Sequence, residues 1–275
     1  MVPKLFCYGL GYSALVLARR LMAEGWDVAG TCQSEARKAE LRGLGIDAHI
    51  FGLDPCSLEG ATHLLSSVPP DGAGDAAFKA LPADLSALQW IGYLSTTGVY
   101  GDTGGATVDE TAPLHPTSTR ALARADAEKG WLDRGAHIFR LAGIYGPGRN
   151  PLERVQNGTA RSIHKPGHAF GRIHVEDIAG VLMASMAQPD PREIYNVCDD
   201  EPAAPADVTA FACGLLGVEP PPLVSFDEAA LEMSPMALSF WRDNRRVDNS
   251  KIKRDLGVTL QYPTYREGLR AILKA

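Results

Sequence analysis

The chain has few cysteines, no long apolar run and no excess of positive charge. Each shortage excludes something. The five cysteines, Cys7, Cys32, Cys56, Cys198 and Cys213, stand apart, and no two have C-x-x-C spacing. Neither a zinc site nor a disulfide framework is indicated, and no metal is expected. Free thiols suit a reducing compartment, so the expectation is a cytoplasmic protein. No apolar stretch approaches the roughly 18 residues of a membrane span, and no signal-peptide pattern precedes the first strand. A net charge of −6 does not suit an electrostatic nucleic-acid binder, because neutralising phosphates needs a basic face. Repeats, coiled-coil heptads and low-complexity tails are lacking too. What is present is 45% hydrophobic and 22% charged over 275 residues, which fits one large α/β domain or a domain with a small lobe.

Short apolar runs alternate with helical patterns. Lys4 to Tyr8, Val28 to Thr31, Ile46 to Phe51, His63 to Val68, Leu88 to Ser95, Ala136 to Leu141 and Ile194 to Val197 read as strands. Leu15 to Ala23, a stretch capped by Ser34 and ending at Gly43, Thr117 to Arg134, and His174 to Met186 read as helices. This alternation predicts a Rossmann-type, doubly wound parallel sheet with right-handed crossovers. Residues 1–149 are expected to form the dinucleotide-binding domain, with 171–200 returning to it. Residues 150–170 and 201–275 are expected to form a small substrate-binding lobe over the strands' carboxyl ends, where open α/β sheets bind ligands.

Gly9-Leu10-Gly11-Tyr12-Ser13-Ala14 is a G-x-G-x-x-A motif between the first strand and the first helix. Gly9 permits the tight turn. Gly11 lets the backbone approach a pyrophosphate. Ala14 lets helix and strand pack closely, and the helix N-terminus supplies N–H donors; Tyr12 and Ser13 belong to the same loop. The second strand ends Thr31-Cys32-Gln33-Ser34, with no acid to hold a ribose 2′-hydroxyl. Arg37 and Lys38 follow within a turn. They either meet a 2′-phosphate or are solvated, and NADP is favoured over NAD on that basis. Asp54, after the third strand, either accepts from an adenine amino group or simply closes a turn.

Together these pieces resemble the extended short-chain dehydrogenase/reductases, the NAD-dependent epimerase/dehydratase family. The resemblance also rests on Ser95-Thr96-Thr97-Gly98-Val99-Tyr100-Gly101, Arg140-Leu141 with Ile144-Tyr145-Gly146-Pro147-Gly148, Ile173 to Ala179, and Tyr195-Asn196-Val197. The Arg-rich helix, the Pro69-Pro70 turn and Lys165-Pro166-Gly167 resemble its atypical YeeZ-like branch. The resemblance implies a Tyr–Lys dyad four residues apart that moves a proton and holds the ribose. Those two places fall on Arg120 and Arg124. A guanidinium cannot act as a base near neutral pH, but it binds carboxylate or phosphate in a fork. Two readings fit. Arg124 clamps the cofactor and Arg120 a substrate anion, or both form a solvated ladder with Glu128 at i, i+4, i+8.

The resemblance further implies that Thr96 bonds the substrate oxygen and that Tyr100 and Tyr145 line the pocket, either one able to replace the missing proton donor. His174 is a candidate acid/base and substrate contact. Arg161, His164, Lys165 and His168 form a basic cluster suited to an anionic substrate or to solvent. The functional expectation is an NAD(P)-dependent oxidoreductase or epimerase on an anionic or sugar-nucleotide-like metabolite, with a homodimer as the assembly considered. The alternatives are an inactive NAD(P)-binding sensor and, third, a lyase or isomerase without hydride transfer.

Overall fold

The structure is a computed structural model, and it describes residues 2–54, 57–82 and 84–275. Cys56 lies outside these residues, and the other four cysteines are free and buried. Seven strands form one parallel sheet: β1 (Lys4–Tyr8), β2 (Asp27–Cys32), β3 (Asp47–Ile50), β4 (His63–Ser66), β5 (Trp90–Thr96), β6 (His137–Leu141) and β7 (Ile194–Val197). Their spatial order is β7-β6-β5-β4-β1-β2-β3. The order reverses between β1 and β4, where Leu5 pairs with His63 on one side and with Val28 on the other. That reversal opens a crevice at the strands' carboxyl ends.

Four helices cover the sheet: α1 (Tyr12–Ala23), α2 (Glu35–Gly43), α3 (Thr119–Asp133) and α4 (Val175–Ala187). Side chains alternate along β1. Leu5 and Cys7 join Leu17, Leu21, Ile178 and Leu182 in one core layer, whereas Phe6 and Tyr8 join Tyr93 and Trp131 in the other. This is the two-sided burial of a strand in a parallel sheet. Ser34 caps α2 as its position predicts, accepting from the Arg37 N–H.

The remaining chain builds a separate cluster. Helices Pro151–Gln156, Pro205–Leu216 and Tyr265–Lys274 enclose Leu152, Val208, Ala212, Tyr265 and Leu269. Strand Ser162–His164 pairs with Leu223–Ser225. Between these helices, Ile252, Leu256 and Leu260 return to the core beside the sheet. Among the described residues no helix is long and apolar enough to cross a membrane.

Candidate functional site

The glycine loop sits at the crevice. Gly9 has φ +83°, and its N–H donates to Thr31 Oγ1 at 2.9 Å. A Cβ on Gly9 would press on Ser67 Oγ at 3.0 Å and Val68 at 3.1 Å. Gly11 precedes α1 without a side-chain cap, and a Cβ there would meet nothing within 4 Å. Ser13 and Ala14 are buried under the first turn. Open space in front of uncapped helix N–H groups fits a pyrophosphate.

The adenosine side is more divided than the sequence suggests. Gln33 is exposed at the tip of β2. Arg37 reaches back to the loop, donating to the Leu10 carbonyl at 3.3 Å and pairing with Glu40 at 2.7 Å. Lys38 turns away and pairs with Asp54 at 2.6 Å. Asp54 also accepts from the Ile50 N–H at 2.7 Å, so its Oδ2 closes the turn after β3. The Lys38 bond, then the backbone bond, hold the Asp54 carboxyl below its ordinary range.

The solvated Arg–Arg–Glu ladder does not form. Glu128 is 2% exposed and faces Arg140 on β6, itself 3% exposed, at 2.8 Å. Ser95 donates to the same carboxylate, and Arg140 Nη1 donates to Tyr100 Oη at 2.8 Å. Tyr100 in turn donates to Asn196 Oδ1 at 2.7 Å on β7. One buried chain of bonds therefore ties α3 to β5, β6 and β7. Arg124 lies one turn before Glu128. Its Nη1 donates to the Leu94 carbonyl at 2.5 Å, and the guanidinium lies over the Tyr93 ring at 5.5 Å. Arg120 stands nearer the helix start, over Phe240 at 5.1 Å.

Three candidate acid/base groups are removed from the crevice by their surroundings. Tyr100 is 1% exposed with its hydroxyl engaged in both directions, and burial raises its pKa. Tyr145 packs in the cluster with Leu152 and Leu269, donating to the Thr264 carbonyl at 3.4 Å. Burial, with the Asp199 carboxyl beside it, pushes its phenol far up. His174 caps α4, with Nδ1 accepting from the Glu176 N–H at 3.2 Å and the ring packed on Tyr262 at 4.1 Å. Burial lowers its pKa to about 4, so it is neutral at pH 7 and serves as a cap. The basic cluster is split as well, with Lys165 and His168 together at Trp241 and the other two apart. Arg161 makes an exposed ion pair with Glu232, and His164 is exposed. Lys165 donates to the Trp241 carbonyl. His168 stacks on Trp241, with its pKa lowered to about 4 by burial.

Thr96 is the last residue of β5, at the sheet's carboxyl edge. It caps the turn 97–100, and its Oγ1 accepts from the Gly98 N–H at 3.1 Å, which leaves the hydroxyl proton free to donate. Its neighbour is Arg245, a residue the sequence reading passed over. A Cβ on Gly98 would lie 3.3 Å from Thr96 Oγ1 and 3.8 Å from Arg245 Nη2. Arg245 Nη1 is anchored by the Gly101 carbonyl and by Asp243, each at 3.1 Å. The segment is fixed further by Asn244, whose carbonyl accepts from Thr103 N–H and Gly105 N–H at 3.1 and 2.9 Å. The signal available was the arginine density of Arg242, Arg245 and Arg246.

Asp199, just beyond β7, is 3% exposed, and its carboxylate makes no ion pair among the described residues. Burial raises its pKa to about 8 against the opposing pull of Arg172. The folded chain keeps a proton that an unfolded Asp, near 3.9, releases. Stability should therefore fall by a few kcal/mol as pH rises from about 4 to about 8. Asp199→Asn should flatten that slope and stabilise the protein at pH 8. Chemical denaturation across this range checks it, and an unchanged slope would contradict the assignment.

No protein-family model matches the chain. It is 30% identical to Protein YeeZ of Escherichia coli K12 over 285 residues, covering 95% of this chain and 97% of that one. A functionally unknown conserved protein from Silicibacter pomeroyi superposes with a TM-score of 0.95 at 48% identity over 99% of both chains. The dTDP-glucose 4,6-dehydratase of Bacillus anthracis, solved in complex with NAD, superposes with a TM-score of 0.78 over 100% of this chain and 96% of that one. Its 14% identity makes that a likeness of fold. The chain belongs to the family of Protein YeeZ, and its fold is that of the NAD-dependent epimerase/dehydratases, the extended short-chain dehydrogenase/reductases.

Proposed function

We propose that the chain binds an NAD-type dinucleotide on the Gly9–Ala14 loop and acts as an oxidoreductase or epimerase on a small anionic or sugar-nucleotide-like substrate. Residues 150–170 and 201–275 supply the substrate side, and a reducing cytoplasm suits the four free thiols among the described residues. The observation that carries the reading is that Thr96 Oγ1 and Arg245 Nη2 lie 3.3 and 3.8 Å from the position a Cβ on Gly98 would take, so both polar groups converge beside β5. A bound nicotinamide supplies hydride exchange. The protein's part is to polarise the substrate oxygen. Thr96 donates a hydrogen bond to it, and Arg245, held rigid by Gly101 and by its ion pair with Asp243, offers Nη2 as a second fixed donor that needs no reorganisation. Neither side chain takes up a proton, so the proton passes to or from water. Arg124 Nη1 is occupied by Leu94, which leaves Nη2 for the ribose clamp. Of the two basic residues expected to favour NADP, Arg37 alone faces the loop.

A second reading has its own support. Tyr100, Tyr145 and His174 are all buried and engaged, which suits a dinucleotide sensor without turnover. A panel of sugar nucleotides and simple ketones, assayed with NADH and NADPH, separates the two. Under the first reading Thr96→Val lowers kcat about 100-fold, the scale of losing one oxyanion donor. Binding of dinucleotide with no turnover across the panel would establish the sensor.

A further inference from the structure

The glycine loop itself carries no cation. One is brought to it from elsewhere. Tyr12 opens α1, and its hydroxyl donates to the Pro147 carbonyl at 2.9 Å. Pro147 sits in a turn closed by two backbone bonds between Gly146 and Arg149, at 3.1 and 3.0 Å. Asn150 Nδ2 donates to the Gly146 carbonyl at 3.0 Å, and the Gly148 N–H donates to Glu153 Oε1 at 2.9 Å, which steadies the turn. Arg149 ends this turn, with its guanidinium carbon 6.0 Å from the centre of the Tyr12 ring.

The nearby carboxylates make no ion pair with Arg149 and are turned to other partners. Glu153 accepts from Gly148 N–H and Asn150. Glu176 pairs with Arg20 at 2.5 Å. No acid occupies the first turn of α1. Among the described residues Arg149 is exposed and makes no ion pair. Two positive ends, the guanidinium and the uncapped helix N-terminus, thus stand together with no carboxylate paired to the guanidinium. Such an arrangement raises the affinity for a ligand whose negative charge falls between them.

We propose that Arg149 is a phosphate-binding residue, completing the pyrophosphate cradle with a side-chain cation that the loop lacks. The proposal rests on the reading of the loop as a dinucleotide site. Calorimetric titration of the full chain with NAD+, ADP and adenosine, at low and moderate salt, tests it. Arg149→Ala should weaken NAD+ and ADP about fivefold to tenfold, the range of an exposed charge-assisted contact, and should leave adenosine unchanged. The salt dependence of NAD+ binding should also become shallower, and Arg149→Lys should recover part of the loss. Equal NAD+ affinity in wild type and Arg149→Ala, or an equal loss for adenosine, would overturn the role of Arg149 and leave the loop's role standing. Failure of the wild type to bind NAD+ or ADP would instead overturn the dinucleotide reading beneath it.

Discussion

Glu128→Ala should lower the free energy of unfolding by about 3–5 kcal/mol, because it strands Arg140 as an unpaired charge in the core. The two side chains are 2% and 3% exposed, and each has further partners that lose their geometry when one is removed. Ser95 loses its acceptor, and Tyr100 keeps a guanidinium that nothing else holds in place. Arg140→Ala should cost a similar amount. Replacing both by well-packed apolar residues should recover much of the loss, since a buried pair offsets little more than its own desolvation. Urea denaturation measures this directly. A loss below about 1 kcal/mol, the scale of a surface pair, would contradict the buried network.

Gly11→Asp should abolish dinucleotide binding, with a loss of at least about 100-fold, or roughly 3 kcal/mol. The new carboxylate would stand in front of the N–H groups that receive a pyrophosphate and repel it. A Cβ at Gly11 meets nothing within 4 Å, so the fold should accept the change. An unchanged denaturation midpoint beside a lost calorimetric signal is the predicted outcome. Retained affinity would place the dinucleotide elsewhere.

The sheet was legible because its signals are local. All seven strands show as apolar runs bounded by glycine, proline or a helical period, and Gly9–Ala14 is one contiguous motif. The site around it was legible only in part. Glu128 sits at helical spacing from Arg120 and Arg124, which suggested a ladder. Its partner proved to be Arg140, twelve residues away on a strand, and no helical period can show that. The resemblance implies pocket-lining places for Tyr100 and Tyr145, but burial is set by distant segments, Asn196 for one and the helix Tyr265–Lys274 for the other. Arg245 was missed for the same reason. It meets Gly98 across nearly 150 residues of chain, and nothing near it in sequence marks it as a neighbour of Thr96.

A crystal structure of the protein with NAD+ tests the central claim most directly. The pyrophosphate should lie on the N–H groups of the Gly9–Ala14 loop. Thr96 and Arg245 should face the open side of the nicotinamide ring, with no tyrosine hydroxyl or lysine amine within about 3.5 Å of the position a reacting oxygen would take. A dinucleotide bound away from the loop, or a tyrosine–lysine pair brought to that position, would contradict it.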